Sequence, residues 1–125
     1  MREIRLKLWC KERKSWVGID KIYFGESAEL CCVETDDKEL YFPDEKNFEL
    51  VNYTGLKDKN GVYIYEGDII EFVPFETSIN NRVVKFERGV FKAELIRSGS
   101  SVALFAFQES EIKVIGNIYE NNDLI

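Results

Sequence analysis

The stretch from Tyr53 to Asp68 constrains the fold of this chain more than any other, because most of its residues form turns. Asp58–Gly61 reads Asp-Lys-Asn-Gly, in which the Asp can hydrogen-bond its own backbone and Asn-Gly accepts positive φ. Glu66–Asp68 predicts a second turn, and Val62–Tyr65 is the return strand between the two. Two turns this close together predict a tight unit whose geometry is set by the local backbone.

Short strands separated by turn signals follow one another along the chain. Arg2–Trp9 alternates polar and apolar residues, which is typical of a half-buried strand, and a hairpin would pair Trp9 with Trp16 in the core. Asp44–Val51 is the one candidate for a short helix before the central stretch. Turn signals roughly every ten residues predict a mainly β fold with antiparallel strands and at most one or two short helices. Further strands are predicted over Ser15–Asp20, Ala28–Thr35, Glu39–Phe42, Ile69–Val73, Arg82–Phe86, Val90–Ile96, Val102–Phe107 and Glu111–Tyr119, and a polar loop over Phe75–Asn81.

The length of 125 residues suits one domain, which can be divided into an N-terminal β lobe (1–50) and a barrel-like lobe (51–125). The strands of the C-terminal part have the number expected of a small SH3-like barrel. No apolar run is long enough to cross a membrane, and the alternating N-terminus is unlike a signal peptide. We therefore expect a cytoplasmic protein.

Composition excludes several kinds of chemistry. The chain has no histidine, which removes imidazole triads and the commonest metal ligand, and its three cysteines lack C-x-x-C spacing. The net charge is −6: residues 17–49 carry three basic and ten acidic side chains, and residues 76–101 carry five basic and three acidic ones. The acidic total argues against a protein that grips nucleic acid by its phosphates, while a local basic face stays open. We expect no cofactor and no bound metal.

Glu66 and Asp68 are the candidate carboxylates of the central stretch, with Glu71 close behind. Glu66 and Asp68 could share one face of a strand and hold a magnesium ion, because hard cations prefer oxygen ligands, whereas Glu71 would lie on the other face. The structural alternative is that Asp68 accepts hydrogen bonds from backbone N–H groups at the turn, as short polar side chains commonly do. We favour the structural alternative and assign no catalytic residue.

Three tyrosines, Tyr53, Tyr63 and Tyr65, are the other candidate binding residues. Tyr63 and Tyr65 point to the same side of a strand, with Ile64 on the opposite side. An exposed pair could stack on bases, and the basic residues Arg82, Lys85, Arg88 and Lys92 could form a rim nearby. Tyrosines also serve at the edge of a core, and we favour that role here.

Three blocks of the sequence carry a family resemblance: Met1–Trp9, Tyr53–Gly61 followed by Ile64–Ile70, and Val114–Asn121. Together they resemble the YopX-type proteins of phages and prophages in Gram-positive bacteria. Cys10 stands where family members often carry an acidic residue, and Asn122 stands where a proline is common. The resemblance implies a β-rich fold and a bacterial host cytoplasm, and it implies no catalytic residue.

Three functions from different classes remain open. The first, which we favour, is a non-enzymatic binding or adaptor protein that acts on a host or phage protein through a sheet edge or a barrel groove. The second is a nucleic-acid-associated protein with a local basic and aromatic face, and the third is a metal-dependent enzyme built on Glu66 and Asp68. A homo-oligomer also fits, since exposed β edges must be covered or paired. No membrane partner is expected.

Overall fold

The computed structural model describes residues 3–75 and 80–125 and is mainly β, with antiparallel strands throughout. The predicted fold class is therefore confirmed, and the SH3-like character of the C-terminal part stays a prediction. In chain order the strands are β1 (Leu6–Cys10), β2 (Ser15–Val17), β3 (Ile19–Phe24), β4 (Leu30–Thr35), β5 (Leu40–Tyr41), β6 (Phe48–Lys57), β7 (Tyr63–Tyr65), β8 (Asp68–Phe72), β9 (Arg82–Glu87), β10 (Val90–Leu95), β11 (Ser101–Ala103) and β12 (Ile112–Asn117). Short 3-10 helices lie at Val73–Phe75, Leu104–Ala106, Glu109–Glu111 and Asn122–Leu124. None of the helices in these two ranges has the length and hydrophobicity that a membrane span requires.

The chain divides into two compact units, and strand β6 begins in one and ends in the other. The N-terminal unit is Leu6–Val51, and the C-terminal unit consists of residues 3–5 and Asn52–Ile125. In the N-terminal unit β1 pairs with β2, and β4 pairs with β3 on one side and β5 on the other. The first half of β6 contributes Phe48 and Leu50 to the core of this unit.

The hairpin of β1 and β2 places Trp9 directly opposite Trp16, as the sequence predicts. Their rings meet edge to face with centroids 4.9 Å apart, and Trp9 is buried. Such an aromatic pair adds about 0.5–1.5 kcal/mol beyond the burial of its apolar area. The prediction of a core position is therefore confirmed for Trp9, while Trp16 is half-buried and packs against it from the neighbouring strand.

The helix predicted over Asp44–Val51 is wrong, because Phe48–Val51 form the start of strand β6. Phe48 and Leu50 both pack against the buried cluster of Leu8, Val33 and Tyr41, so the apolar side chains repeat every second residue. The three-residue spacing of Phe48 and Val51 was too short a pattern to separate a helix from a strand.

Two predicted strands also end differently. The strand predicted over Ser15–Asp20 is broken at Gly18 into β2 and β3, and β3 continues to Phe24. A Cβ at Gly18 would meet the carboxylate of Asp36 at 1.9 Å, so only glycine fits at this break between the two strands without moving that side chain. The strand predicted over Val102–Phe107 stops at Ala103 and continues as a 3-10 turn. The loop predicted over Phe75–Asn81 lies mostly outside the described residues.

The C-terminal unit contains a five-stranded antiparallel sheet in the order β11-β10-β9-β8-β12. Its core cluster consists of six buried apolar residues, which lie on strands of this sheet, on β7 and in the 3-10 turn after β11: Ile64, Ile70, Val84, Ala93, Leu104 and Ile112. Strand β7 pairs with the second half of β6, with Tyr53 opposite Tyr65 and Lys57 opposite Tyr63. The central stretch of the sequence therefore packs on the core of this unit.

Stability at alkaline pH should depend on Tyr41 in the N-terminal unit. Burial, together with the hydrogen bond that its hydroxyl donates to the carboxylate of Glu39, raises the pKa of Tyr41 to about 12. The folded state therefore holds the phenol proton more tightly than the unfolded chain, where tyrosine titrates near pH ~10. This stabilisation is complete below about pH 10 and is lost as the pH rises to about 12.

We expect the free energy of unfolding of the wild type to fall across this window. The free energy of unfolding of Tyr41→Phe should fall less steeply, because the variant has no phenol proton to lose at this position. Urea denaturation at pH values from about 9 to 12 measures both slopes. Tyr23→Phe is the matched control, since Tyr23 is 41% exposed in the same unit. Identical slopes for the wild type and Tyr41→Phe would contradict the prediction.

Candidate functional site

The turn at Asp58–Gly61 forms as predicted and is organised by one buried carboxylate. Oδ1 of Asp58 accepts hydrogen bonds from the backbone N–H groups of Asn60 at 2.8 Å and Val62 at 2.9 Å. Its other oxygen, Oδ2, accepts from the N–H of Val114 on β12 at 3.0 Å. Asp58 is 4% exposed, and Gly61 has a φ of +79°. The side chain therefore joins the turn to a strand far away in the sequence.

The three candidate tyrosines do lie together, and each is half-buried. The ring of Tyr53 lies 5.3 Å from that of Tyr63, edge to face, and 5.7 Å from that of Tyr65. Burial raises the pKa of both Tyr53 and Tyr65. Ile64 points to the core from between Tyr63 and Tyr65, which confirms the predicted alternation on this strand.

A cation already occupies a ring face of this tyrosine cluster. The guanidinium carbon of Arg5 lies 3.8 Å from the centroid of Tyr63, and Nη2 of Arg5 donates to the Tyr63 hydroxyl at 2.8 Å. Nζ of Lys57 lies 5.1 Å from the same centroid. Arg5 is also paired with Glu3 at 3.0 Å, and that hydrogen bond raises the pKa of Arg5. The contacts of Tyr63 are those of a structural cluster, and they leave less of its ring for a stacked base.

Glu66 and Asp68 are engaged with the backbone around the second turn. Oε1 of Glu66 accepts from the backbone N–H and from Nδ2 of Asn52, both at 2.9 Å. Oδ2 of the buried Asp68 accepts from the N–H of Tyr65 at 2.8 Å. Within residues 3–75 and 80–125 no group of three or more Cys, Asp or Glu side chains is arranged to hold a metal ion. These contacts favour the structural interpretation of both carboxylates.

The predicted basic residues lie on the β9–β10 hairpin, and two of them have partners there. Nη1 of Arg82 donates to the carbonyl oxygen of Ala93 at 2.9 Å, and burial lowers the pKa of Arg82. Nζ of Lys85 pairs with the carboxylate of Glu94 at 2.5 Å. The two remaining cations, Arg88 and Lys92, form no ion pair with any residue that the structure describes.

The sequence did not predict an apolar groove of about 290 Å³ that opens at the tip of this hairpin. Its lining residues come from β6, from the β9–β10 hairpin and from the turn after β11: Thr54, Leu56, Gly89, Val90, Phe91, Leu104 and Phe105. Of these lining residues Leu104 is buried, while Phe105 is 75% exposed. Phe86, which lies opposite Phe91 with ring centroids 4.8 Å apart, is 52% exposed.

One sequence signal could have pointed to this groove. The run Val102–Phe107 contains more apolar residues than a strand with one buried face can place in the core. Because the chain enters a 3-10 turn after Ala103, the side chains of Leu104 and Phe105 have different surroundings. Leu104 is buried, and Phe105 is left in solvent. An exposed aromatic side chain beside an apolar groove is typical of a protein interaction site.

The fold and this groove define the class of the protein: it is a small antiparallel β protein with an open apolar groove on its C-terminal unit. Residues 7–125 match the protein family described as YopX protein, and the chain belongs to this family. The resemblance carried by the three sequence blocks is therefore confirmed.

Two solved structures are similar to this chain over almost its whole length. The crystal structure of protein EF1440 from Enterococcus faecalis is 25% identical and has a TM-score of 0.67, with 99% of each chain covered. The crystal structure of protein yopX from Bacillus subtilis is 20% identical and has a TM-score of 0.63, with 100% of this chain and 99% of that chain covered. At this identity the yopX structure supports the fold alone. No curated protein matches the chain.

Proposed function

We propose that this protein is a non-enzymatic binding or adaptor protein that holds a host or phage protein in the groove beside Phe105. The observation that carries the proposal is the exposure of Phe105, 75%, next to an apolar groove of about 290 Å³. Apolar side chains left in water at a concave surface are the usual anchors of a protein interface. The resemblance to phage and prophage proteins supports a role in the cytoplasm of a bacterial host.

The groove suits a partner side chain better than a nucleic acid or a metal. Leu56, Val90 and Leu104 line it together with two phenylalanines, and a concave apolar lining of this kind fits an apolar side chain of a partner. The net charge of −6 opposes the approach of a phosphate backbone. The carboxylates proposed for a metal, Glu66 and Asp68, accept hydrogen bonds from Asn52 and Tyr65.

The test is a cross-linking pull-down from phage-infected bacterial host cells with two variants matched for exposure. Phe105→Ser changes the groove, and Phe24→Ser changes an exposed phenylalanine, 64% accessible, of the N-terminal unit. We expect the wild type and Phe24→Ser to capture the same protein, and Phe105→Ser to reduce its yield about 10-fold or more, since a buried aromatic anchor contributes about 1.4 kcal/mol or more.

Thermal melts of all three proteins provide the folding control, and we expect Phe105→Ser to melt within a few degrees of the wild type because its side chain is exposed. Equal capture by the wild type and both variants would overturn the proposal. Light scattering of the wild type and of Phe105→Ser tests for a homo-oligomer. If the wild type is a dimer and Phe105→Ser is a monomer, the groove binds a second copy of this chain.

A further inference from the structure

The groove lies beside a segment of net positive charge in an acidic chain. Residues 82–101 carry five basic side chains and two acidic ones, although the net charge of the whole chain is −6. Of the two acidic groups, Glu94 is already paired with Lys85. The β9–β10 hairpin itself, Arg82–Leu95, carries four basic and two acidic side chains, and this positive excess attracts a partner of opposite sign.

Two of these cations lie next to groove residues along the chain. Arg88 precedes Gly89 and Val90 at the tip of the hairpin, and Lys92 follows Phe91 on β10. Because side chains alternate along a strand, Phe91 and Lys92 lie on opposite faces of the sheet. Neither cation has a carboxylate partner among the residues described. By the same alternation Val90 and Glu94 lie on the face of Lys92, and Glu94 is the member of that face that is paired with Lys85.

Strand β11 is the edge of the five-stranded sheet beside this groove. Among the strands of residues 3–75 and 80–125 it pairs only with β10, with Ala103 opposite Lys92 and Val102 opposite Ala93. The chain then enters the turn that carries Leu104 and Phe105 into the groove. An edge strand can accept one more strand by main-chain hydrogen bonds, and a neighbouring pocket then selects alternate side chains.

We infer that the β11 edge and the groove together bind an extended acidic segment of another protein, in which apolar and acidic residues alternate. The segment adds as a strand beside β11, its apolar side chains enter the groove at Phe105, and its carboxylates lie on the face of Lys92 and near Arg88. This inference rests on the proposed function, since it names the partner of the same groove.

Two other occupants are less favoured by the charges. A nucleic acid would need more than two or three cations to offset the net charge of −6. A second copy of the chain offers the acidic segment 17–49, with ten acidic and three basic side chains. That segment would meet the hairpin head to tail, which leads to open assemblies unless the rotation closes a ring.

The test uses fluorescein-labelled ten-residue peptides and measures binding by fluorescence anisotropy. The probe alternates Glu with Val and has one central Phe, and its counterpart has Lys in place of every Glu. We expect the wild type to bind the acidic probe about 10-fold or more tightly than the lysine counterpart, and to release it as salt rises to about 0.5 M. Two further probes carry methyl groups on alternate backbone nitrogens, one along each edge of the peptide. We expect only the probe methylated along the edge that faces β11 to lose binding, because it lacks the N–H donors that pair with this strand.

The charge variant is Arg88→Glu with Lys92→Glu, and the matched control is Lys46→Glu with Lys59→Glu, which makes the same change of charge at exposed positions. We expect the first pair to prefer the lysine counterpart and the control pair to keep the preference for the acidic probe. Equal weakening by both pairs, or equal binding of the two peptides by the wild type, would overturn the inference.

The outcome separates this inference from the proposed function. Suppose that neither peptide binds at about 1 mM, while the wild type still captures a protein that Phe105→Ser does not. The inference of an acidic partner segment is then wrong, and the proposed function stands. If Phe105→Ser captures as much of the partner as the wild type does, both the proposed function and this inference are wrong. Displacement of the probe by a short single-stranded DNA at lower concentration would assign the surface to nucleic acid and overturn the inference. A dimer in light scattering that Phe105→Ser dissociates would assign it to a second copy.

Discussion

Replacing Asp58 with alanine should destabilise the protein by about 3–5 kcal/mol, because three backbone N–H groups then lose their common charged acceptor, which is itself buried. The carboxylate is 4% exposed and accepts from Asn60, Val62 and Val114 at 2.8–3.0 Å. Hydrogen bonds to a charged group contribute about 1.5–3 kcal/mol each, and their sum is not additive. Urea denaturation at neutral pH measures the loss as a lower midpoint with an unchanged slope.

Asp58→Asn separates the hydrogen bonds that Asp58 accepts within the turn from the one that it accepts from β12. An amide can still accept from the N–H groups of Asn60 and Val62, but its NH₂ would then face the N–H donor of Val114. We therefore expect a loss between that of alanine and that of the wild type. Asp123→Ala, at an exposed position of the last 3-10 turn, is the control and should stay within about 0.5 kcal/mol of the wild type. An effect of Asp58→Ala no larger than the control would refute this account of the turn.

The second large effect is expected for Gly67→Ala, which should cost about 2–4 kcal/mol. Gly67 has a φ of +86°, and a Cβ there would meet Cε2 of Tyr119 at 2.8 Å. The backbone cannot move away easily, because the Gly67 N–H donates to the carbonyl of Val84 at 2.7 Å and its own carbonyl accepts from Ile118 at 2.9 Å. The variant therefore suffers both backbone strain and a steric clash.

Gly61→Ala isolates the backbone part of this cost. Gly61 has a similar φ of +79°, but a Cβ there meets nothing within 4 Å. We expect a loss of about 1–2 kcal/mol for Gly61→Ala. The difference between the two variants, measured by urea denaturation, is the cost of the contact with Tyr119. Equal losses would show that the clash is relieved by movement of that ring.

Much of the local structure could be predicted because its causes are local. The turn at Asp58–Gly61 follows from an Asp that bonds its own backbone and a glycine that accepts positive φ. The pairing of Trp9 with Trp16 follows from a short turn between alternating strands. The helix predicted over Asp44–Val51 failed because two apolar residues three apart fit either period when the segment is short.

The candidate site depended on contacts between residues far apart in the sequence. The sequence placed Tyr63 among candidate binding residues, but it could not place Arg5, 58 residues earlier, against the Tyr63 ring. It likewise could not predict that Asp58 reaches Val114 on β12.

What the sequence by itself determined is the set of turns, the β character and the family, since each depends on residue type and short spacing. The tertiary structure alone decided which apolar residues remain in solvent. Leu104 and Phe105 are neighbours of equal hydrophobic character, yet one fills the core and the other lies exposed beside the groove. The physical reason is that a closed core accepts only the side chains that fit its volume, and that volume is set by strands from distant parts of the chain.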